Sequence, residues 1–242
     1  MSGEALYKEM AGYYDLLYGA RGKSYRKESA FIEKLAREYG NGGKSLLDVG
    51  CGTGSHLVFL REKYKVAGID MSNEMLTIAR RKLRGVKLSH EDMRNFKLHQ
   101  TFDAITCLFS TINYNRSEND YLKTFRNFAA HLNYGGVAII ELFLKESFSA
   151  DGRFSFDTFE KGDVHVGRMG GSRRDGNLAT IIFAYLIKKG RDTAVRTEQS
   201  RMGVYSSSEI VRMVEQAGLR VLKLDKSGRN PLGRSYMVLK KV

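Results

Sequence analysis

The segment Leu46-Leu47-Asp48-Val49-Gly50-Cys51-Gly52-Thr53-Gly54 constrains this chain more than any other. A short apolar run enters three glycines spaced two residues apart, and the run reads as a buried strand. Glycines at 50, 52 and 54 remove Cβ atoms where a strand must turn tightly into a helix. A ligand can then approach the backbone closely. The pattern departs from the nicotinamide dinucleotide fingerprint G-x-G-x-x-G/A, because the third-glycine position, 55, holds Ser. Asp48 stands two residues before the first glycine. Its carboxylate could order the turn or meet a cationic ligand, and it would repel a pyrophosphate.

The flanking pattern extends this turn into a fold. Residues 24–39 read as a helix capped by Ser24 and ended by Gly40, and His56 to Lys63 suits a helix leaving the glycine turn. Lys65 to Asp70 is a second strand, Ser72 caps a helix through Leu83, and Val86 to Ser89 is a third strand. Phe102 to Phe109 is a fourth strand. A helix from Glu118 to Leu132, capped by Ser117, is expected to close at Gly135-Gly136 before a fifth strand, Val137 to Phe143. Strands alternating with helices predict a doubly wound α/β sheet of Rossmann type, with ligands at the carboxyl ends of its strands. After residue 150 the alternation stops. Residues 164–168, 178–187 and 194–205 look like strands with no helices between them. Residues 206–217 form a helix, and 219–224 and 235–240 return to the main sheet. The expected organisation is an N-terminal lid over 1–43, a seven-stranded mixed core over 44–149 and 206–242, and an antiparallel β insertion over 150–205.

Composition excludes several classes. At 42% hydrophobic and 28% charged residues, 242 residues suit one globular unit. Two Cys make no disulfide scaffold and suit a reducing, cytoplasmic setting. The polar start MSGEALYKEM is not a signal peptide, and no apolar run is long enough for a bilayer. The five His show no metal-ligand spacing, so no metal is expected. The net charge is +13, and residues 151–242 hold 18 basic against 10 acidic side chains. That surplus suits an anionic partner: a phosphorylated small molecule, nucleic acid or an acidic surface.

Two further acids follow the glycine turn. Asp70 ends the second strand, 20 residues past Gly50, where a carboxylate can accept from both hydroxyls of a ribose or cap the next helix. Glu91-Asp92-Met93 follows the third strand. Asp92 could accept from an adenine amino group while Met93 packs on the ring. With Phe102-Asp103 opening the fourth strand, this order resembles the class I S-adenosylmethionine-dependent methyltransferases. The resemblance implies S-adenosyl-L-methionine as cofactor, with Asp48, Gly50, Gly52, Gly54, Asp70, Met71, Asp92, Met93 and Leu108 around it.

The likeness narrows along the chain. Tyr13-Tyr14-Asp15-Leu16-Leu17-Tyr18, Arg21-Gly22-Lys23-Ser24-Tyr25, Asp92-Met-Arg-Asn-Phe96, Glu141, Gly162-Asp163-Val164, Arg168 and Ser227-Gly228-Arg229 resemble the nucleotide-linked 3-amino sugar N,N-dimethyltransferases of the desosamine and mycaminose type. That resemblance implies that Tyr14, Tyr18 and Arg21 close over the cofactor, with Arg21 near its carboxylate. It implies Tyr14 and Tyr114 at the reacting nitrogen, and Glu141, Arg168 and Arg229 on the acceptor side. A guanidinium fork at Arg229 suits a diphosphate. The chain departs from the family at Asp70, where the sugar enzymes carry Glu, at Tyr114, where they carry His, and at Leu142-Phe143, where they carry a bulky aromatic pair. The expected partner is a small, phosphorylated acceptor methylated on nitrogen, the enzyme being a monomer or homodimer. The alternative is an RNA-binding protein or RNA methyltransferase using the basic second half. The only Pro is Pro231, so neither an Asn/Asp-Pro-Pro-Tyr/Phe segment nor a Pro-Cys pair exists, which argues against DNA base methylation.

Overall fold

The computed structural model of the protein describes residues 11–20, 22–148 and 154–241. Arg21, expected beside the cofactor carboxylate, lies outside the described residues.

The main sheet is built from β1 (Ser45–Val49), β2 (Lys65–Asp70), β3 (Lys87–His90), β4 (Phe102–Cys107), β5 (Leu132–Leu142), β10 (Leu219–Asp225) and β11 (Ser235–Lys241), in the order β10-β11-β5-β4-β1-β2-β3. β1 pairs in parallel with β2 and β4, and β11 runs antiparallel to both β5 and β10. The sheet is therefore mixed, as the sequence predicts. Strand alternation fills both faces. In β5, Ala138, Ile140 and Leu142 enter one core with Leu47, Val49, Phe125 and Phe128. Val137 and Ile139 enter the other with Leu46, Ile32 and Leu35. Helices α2 (Tyr25–Tyr39), α3 (Ser55–Leu60), α4 (Asn73–Lys82), α5 (Glu118–His131) and α6 (Ser207–Gln216) cover those faces. Ser24, Ser72, Ser117 and Ser206 each accept a backbone N–H at a helix start. At Ser206 the Glu209 side chain answers with a reciprocal bond, a capping box.

Two expectations are corrected. The glycines at 135 and 136 do not close α5, which ends at His131, and β5 begins at Leu132. Leu132 is already extended and pairs with Phe102; the register then slips, so that Ala104 meets Val137. Gly135 at φ 71° and Gly136, where a Cβ would sit 2.9 Å from the Asn133 carbonyl, absorb that slip as a bulge. The antiparallel segment has four strands rather than three, β6 (Ser155–Lys161), β7 (Val164–Asp175), β8 (Leu178–Lys189) and β9 (Asp192–Gly203), in the order β6-β7-β8-β9. Only Phe159 of β6 is buried, so no alternation announces that strand.

The inner face of this second sheet packs on a short helix, α1 (Tyr14–Ala20). Leu17 of α1 is fully buried among Phe159, Val166, Tyr185 and Ile187. That packing sets α1 beside the carboxyl ends of β1 and β2.

Candidate active site

The cavity at those strand ends has a volume of about 590 Å³, within the usual size for small-molecule pockets. The glycine turn forms one wall. Gly50, Gly52 and Gly54 hold φ of 71°, 54° and 75°, the left-handed region where other residues are strained. Each has its own reason for lacking a Cβ. At Gly50 one would meet Thr111 at 2.3 Å, and at Gly54 it would meet Leu83 at 2.5 Å. At Gly52 it would meet nothing within 4 Å, because that backbone faces the cavity. A bare main chain beside open volume is the cradle that a closely held ligand needs.

Asp70 completes the turn. Its Oδ2 accepts the Gly52 N–H at 2.8 Å and its Oδ1 accepts the Ser72 N–H at 2.8 Å. A carboxylate offers about four acceptor sites, so a diol can still share it. Burial raises the Asp70 pKa, and these two N–H groups oppose the rise. Asp48 is buried beneath the turn and accepts the Thr106 hydroxyl at 2.8 Å. Burial pushes its carboxyl up to about 6, against the pull of His56 and the Thr106 hydroxyl.

Met71, Asp92, Met93 and Leu108 also line the cavity. Arg94 holds Asp92 in a fork, with Nε at 2.9 and 3.0 Å from the two carboxylate oxygens. Burial works to raise the Asp92 pKa, but the Arg94 hydrogen bonds win and hold it below the usual range. Asp92 thus stays an acceptor at neutral pH.

The lid side carries residues the sequence reading missed. Asp15 of α1 accepts from the Thr53 hydroxyl at 2.7 Å, the Ser55 hydroxyl at 2.9 Å and the Lys82 ammonium. One carboxylate thereby straps α1 to the glycine turn and to α4. Lys23 lines the cavity, donates to the buried Glu28 at 2.7 Å, and sits 4.2 Å from the Phe109 ring centroid. His56 meets the same Glu28 oxygen at 2.7 Å. Tyr14 and Tyr114 both line the cavity. Tyr14 packs on Tyr18 with centroids 4.7 Å apart, and Tyr18 meets Phe109 edge-on at 4.6 Å. Burial raises the Tyr14 pKa well above normal, and nearby Tyr18, Tyr25, Tyr114 and Asp70 add to the rise, so this phenol stays neutral.

The three residues expected on the acceptor side do not line the cavity. Glu141 is fully buried behind it, where its Oε2 accepts the Phe109 N–H at 2.7 Å and its Oε1 accepts from Arg234 at 2.6 Å. Arg168 is fully buried in the second sheet, donating to Asp157 at 2.7 Å, with Phe183 at 4.8 Å and Tyr18 at 5.7 Å. Arg229 is exposed on the loop before β11. Of the cations, Lys23, Arg94 and Arg116 line the cavity, while Arg234 stands behind its wall, 4.5 Å from the Phe109 centroid and 5.0 Å from Phe143. The strand register, not a local signal, explains its place. β11 pairs with β5 so that Tyr236 faces Glu141, and an Arg just before that strand can reach the buried acid. Among the described residues, no cluster of His, Cys, Asp or Glu could hold a metal ion.

Comparison with known proteins agrees with this geometry. Residues 46–136 match the family described as "Methyltransferase domain". The chain is 36% identical over 217 residues to the dTDP-3-amino-3,6-dideoxy-alpha-D-glucopyranose N,N-dimethyltransferase of Streptomyces fradiae, covering 88% of this chain and 84% of that one. Its fold superposes on the crystal structure of DesVI from Streptomyces venezuelae with a TM-score of 0.89 and 32% identity, covering 96% and 98% of the two chains. SAM-bound CalS10, an amino pentose methyltransferase from Micromonospora echinaspora, superposes with a TM-score of 0.85 and 29% identity over 95% and 96%. With the glycine cradle, the acid at the end of β2 and near full-length likeness in hand, the chain belongs to the class I S-adenosylmethionine-dependent methyltransferases, in the family of the nucleotide-linked amino sugar N,N-dimethyltransferases.

Proposed function

We propose that this enzyme methylates the amino nitrogen of a nucleotide-linked amino sugar. The observation that carries the reading is the extent of the likeness. Identity of 33–36% to three dTDP-amino sugar N,N-dimethyltransferases spans 88–94% of the chain.

S-adenosylmethionine supplies a methyl group on a sulfonium, already a strong electrophile, so the protein's task is alignment and proton management. In this reading Asp70 takes the ribose hydroxyls, Asp92 and Met93 take the adenine, and Gly52 lets the chain lie close. Lys23 is the lid cation on hand for the carboxylate, with Glu28 fixing its position. Tyr14 and Tyr114 accept a hydrogen bond from the acceptor's N–H and so aim the lone pair. Neither serves as a base near neutral pH, since a phenol ordinarily titrates near 10 and burial pushes Tyr14 higher. The amine therefore arrives unprotonated, or loses its proton to water. On the acceptor side we assign the phosphates to Arg234, which Glu141 anchors, rather than to the exposed Arg229. A nucleotide-sugar substrate and two free thiols fit a cytoplasmic enzyme. No helix among the described residues is long and apolar enough to cross a membrane.

The test is turnover with a panel of dTDP-linked 3-amino and 4-amino sugars, read by mass spectrometry. The expected result is products heavier by one and then two methyl groups. Silence across the panel, with methylation of RNA instead, would overturn the assignment.

A further inference from the structure

Asp92, the acid assigned to the adenine, is already fully engaged. Its Oδ1 accepts the Arg94 backbone N–H at 2.9 Å and the Arg94 Nε–H at 2.9 Å. Its Oδ2 accepts the same Nε–H at 3.0 Å and also an Nη2–H. A carboxylate offers about four acceptor positions, and Arg94 alone fills them. An amino group on a base would be one donor too many. Asp92 can therefore read such a group only when the Arg94 side chain lets go of an oxygen.

A second acid stands beside the guanidinium. Asp120, in the first turn of α5, has its Oδ1 3.9 Å from the Arg94 Nη1. That is too long for a hydrogen bond, and a small rotation of the arginine closes it. Asp92, Arg94 and Asp120 all line the cavity. The Arg94 side chain is 38% exposed, so no core packing resists the rotation. The loop keeps its shape without the fork. The Asp92 carbonyl accepts the Asn95 and Phe96 N–H groups at 3.1 and 2.9 Å, and Asn127 donates to the Met93 carbonyl at 3.2 Å. The bond from the Arg94 backbone N–H to Asp92 needs no arginine side chain either.

We propose that Arg94 is a positioning residue for the cofactor's base: it holds Asp92 against other donors, yields one carboxylate oxygen to the adenine amino group, and passes to Asp120. The inference rests on the assignment of Asp92 to the adenine and not on the identity of the methyl acceptor. Arg94 and the amino group compete for one carboxylate. The cofactor affinity is then that of a freed Asp92 lowered by the hold of the fork, and Asp120 offsets part of that cost. Hypoxanthine, which carries a carbonyl oxygen where adenine carries the amino group, has no donor there with which to displace the arginine.

The experiment is isothermal titration of the full-length chain with S-adenosylhomocysteine and with S-inosylhomocysteine. Arg94→Met is expected to bind S-adenosylhomocysteine about fivefold tighter and the inosyl compound no tighter. Asp120→Asn is expected to bind S-adenosylhomocysteine about threefold weaker in the wild-type background and to change nothing in the Arg94→Met background. Should Arg94→Met fail to fold, Arg94→Lys keeps the charge without the fork and is expected to bind about twofold tighter. Unchanged or weaker binding by the Arg94 variant would mean that the fork merely orients Asp92, and overturns the proposal. An equal loss from Asp120→Asn with and without Arg94 overturns it as well. Asp92→Asn in the Arg94→Met background separates the two assignments, with about fivefold weaker S-adenosylhomocysteine binding expected. No loss there overturns the adenine assignment and the proposal together, whereas that loss without the gain from Arg94→Met overturns the proposal alone.

Discussion

The Gly50–Gly54 turn and the Phe109–Ser110 turn stand at the same cavity, and both hold backbone at positive φ. The first does so with glycines, at 54–75°, where the conformation is free. The second does so with Phe109 at φ 56° and Ser110 at φ 59°, each costing on the order of 1–3 kcal/mol. Surrounding contacts hold that strained turn in place. Glu141 accepts the Phe109 N–H, Arg234 braces Glu141, and the rings of Tyr14 and Tyr18 press on the Phe109 ring. One wall is encoded by residue type in nine consecutive positions, and the other is imposed by partners up to 125 residues away. A turn of the first kind is written in the sequence, whereas one of the second kind exists only after folding.

Substitutions should behave oppositely in the two turns. Gly50→Ala adds a Cβ 2.3 Å from Thr111 at positive φ, so a loss of about 3 kcal/mol in a denaturant melt is expected. Gly52→Ala meets no atom and should cost only about 1 kcal/mol, its larger effect falling on cofactor affinity. Equal destabilisation by the two would break the steric account. The acid beneath the glycine wall sharpens the contrast through pH. The folded pKa of Asp48, about 6, lies above its unfolded value near 3.8. The unfolded chain therefore gives up this proton first, and stability falls as pH rises from about 4 through 6. The full cost, about 2–3 kcal/mol, is present above that window. Asp48→Asn should flatten that slope in melts at pH 4.5, 5.5 and 7.5, and an unchanged slope would assign it elsewhere. The smallest effect has the opposite sign. Ser110→Gly relieves a left-handed residue and removes a buried hydroxyl that has no hydrogen-bond partner among the described residues. It should raise stability by about 1 kcal/mol in a thermal melt, and a loss would mean that Ser110 is not strained.

The same division governs how far the sequence could be read. Short apolar runs and period-3.6 patterns carried the main sheet and its helices, because β1, β2, β4 and β5 are largely buried and α2, α4, α5 and α6 each start at a capping serine. The cavity wall at the glycine turn was legible for a related reason: Gly50, Gly52, Asp70 and Asp92, which all line it, each sit at a fixed offset from a strand end. Two local signals misled. Gly135-Gly136 looks like a helix stop, but it is spent on a strand bulge whose need arises from the β4–β5 register. Phe156 and Phe159 sit at odd spacing, so β6 shows no alternation. The surroundings of Glu141 were less legible. Arg229 and Arg234 are five residues apart on one loop, and only the pairing of β11 with β5 decides which of them meets Glu141. Asp15 carries no local signal of its role, since its partners lie on the glycine turn and on α4.

Leu17 carries a consequence for anyone who would retailor this enzyme. It belongs to α1, yet it completes the only apolar cluster on the inner side of β6–β9 among the described residues. Two neighbours along, Asp15 is tied to Thr53 and Ser55. The helix is mortar between two bricks, bonded to each by a different chemistry. A graft that exchanged the small sheet for a relative's, leaving residues 14–20 behind, would take away the seat without the sitter. The small sheet of this scaffold has to be transplanted with its helix or not at all.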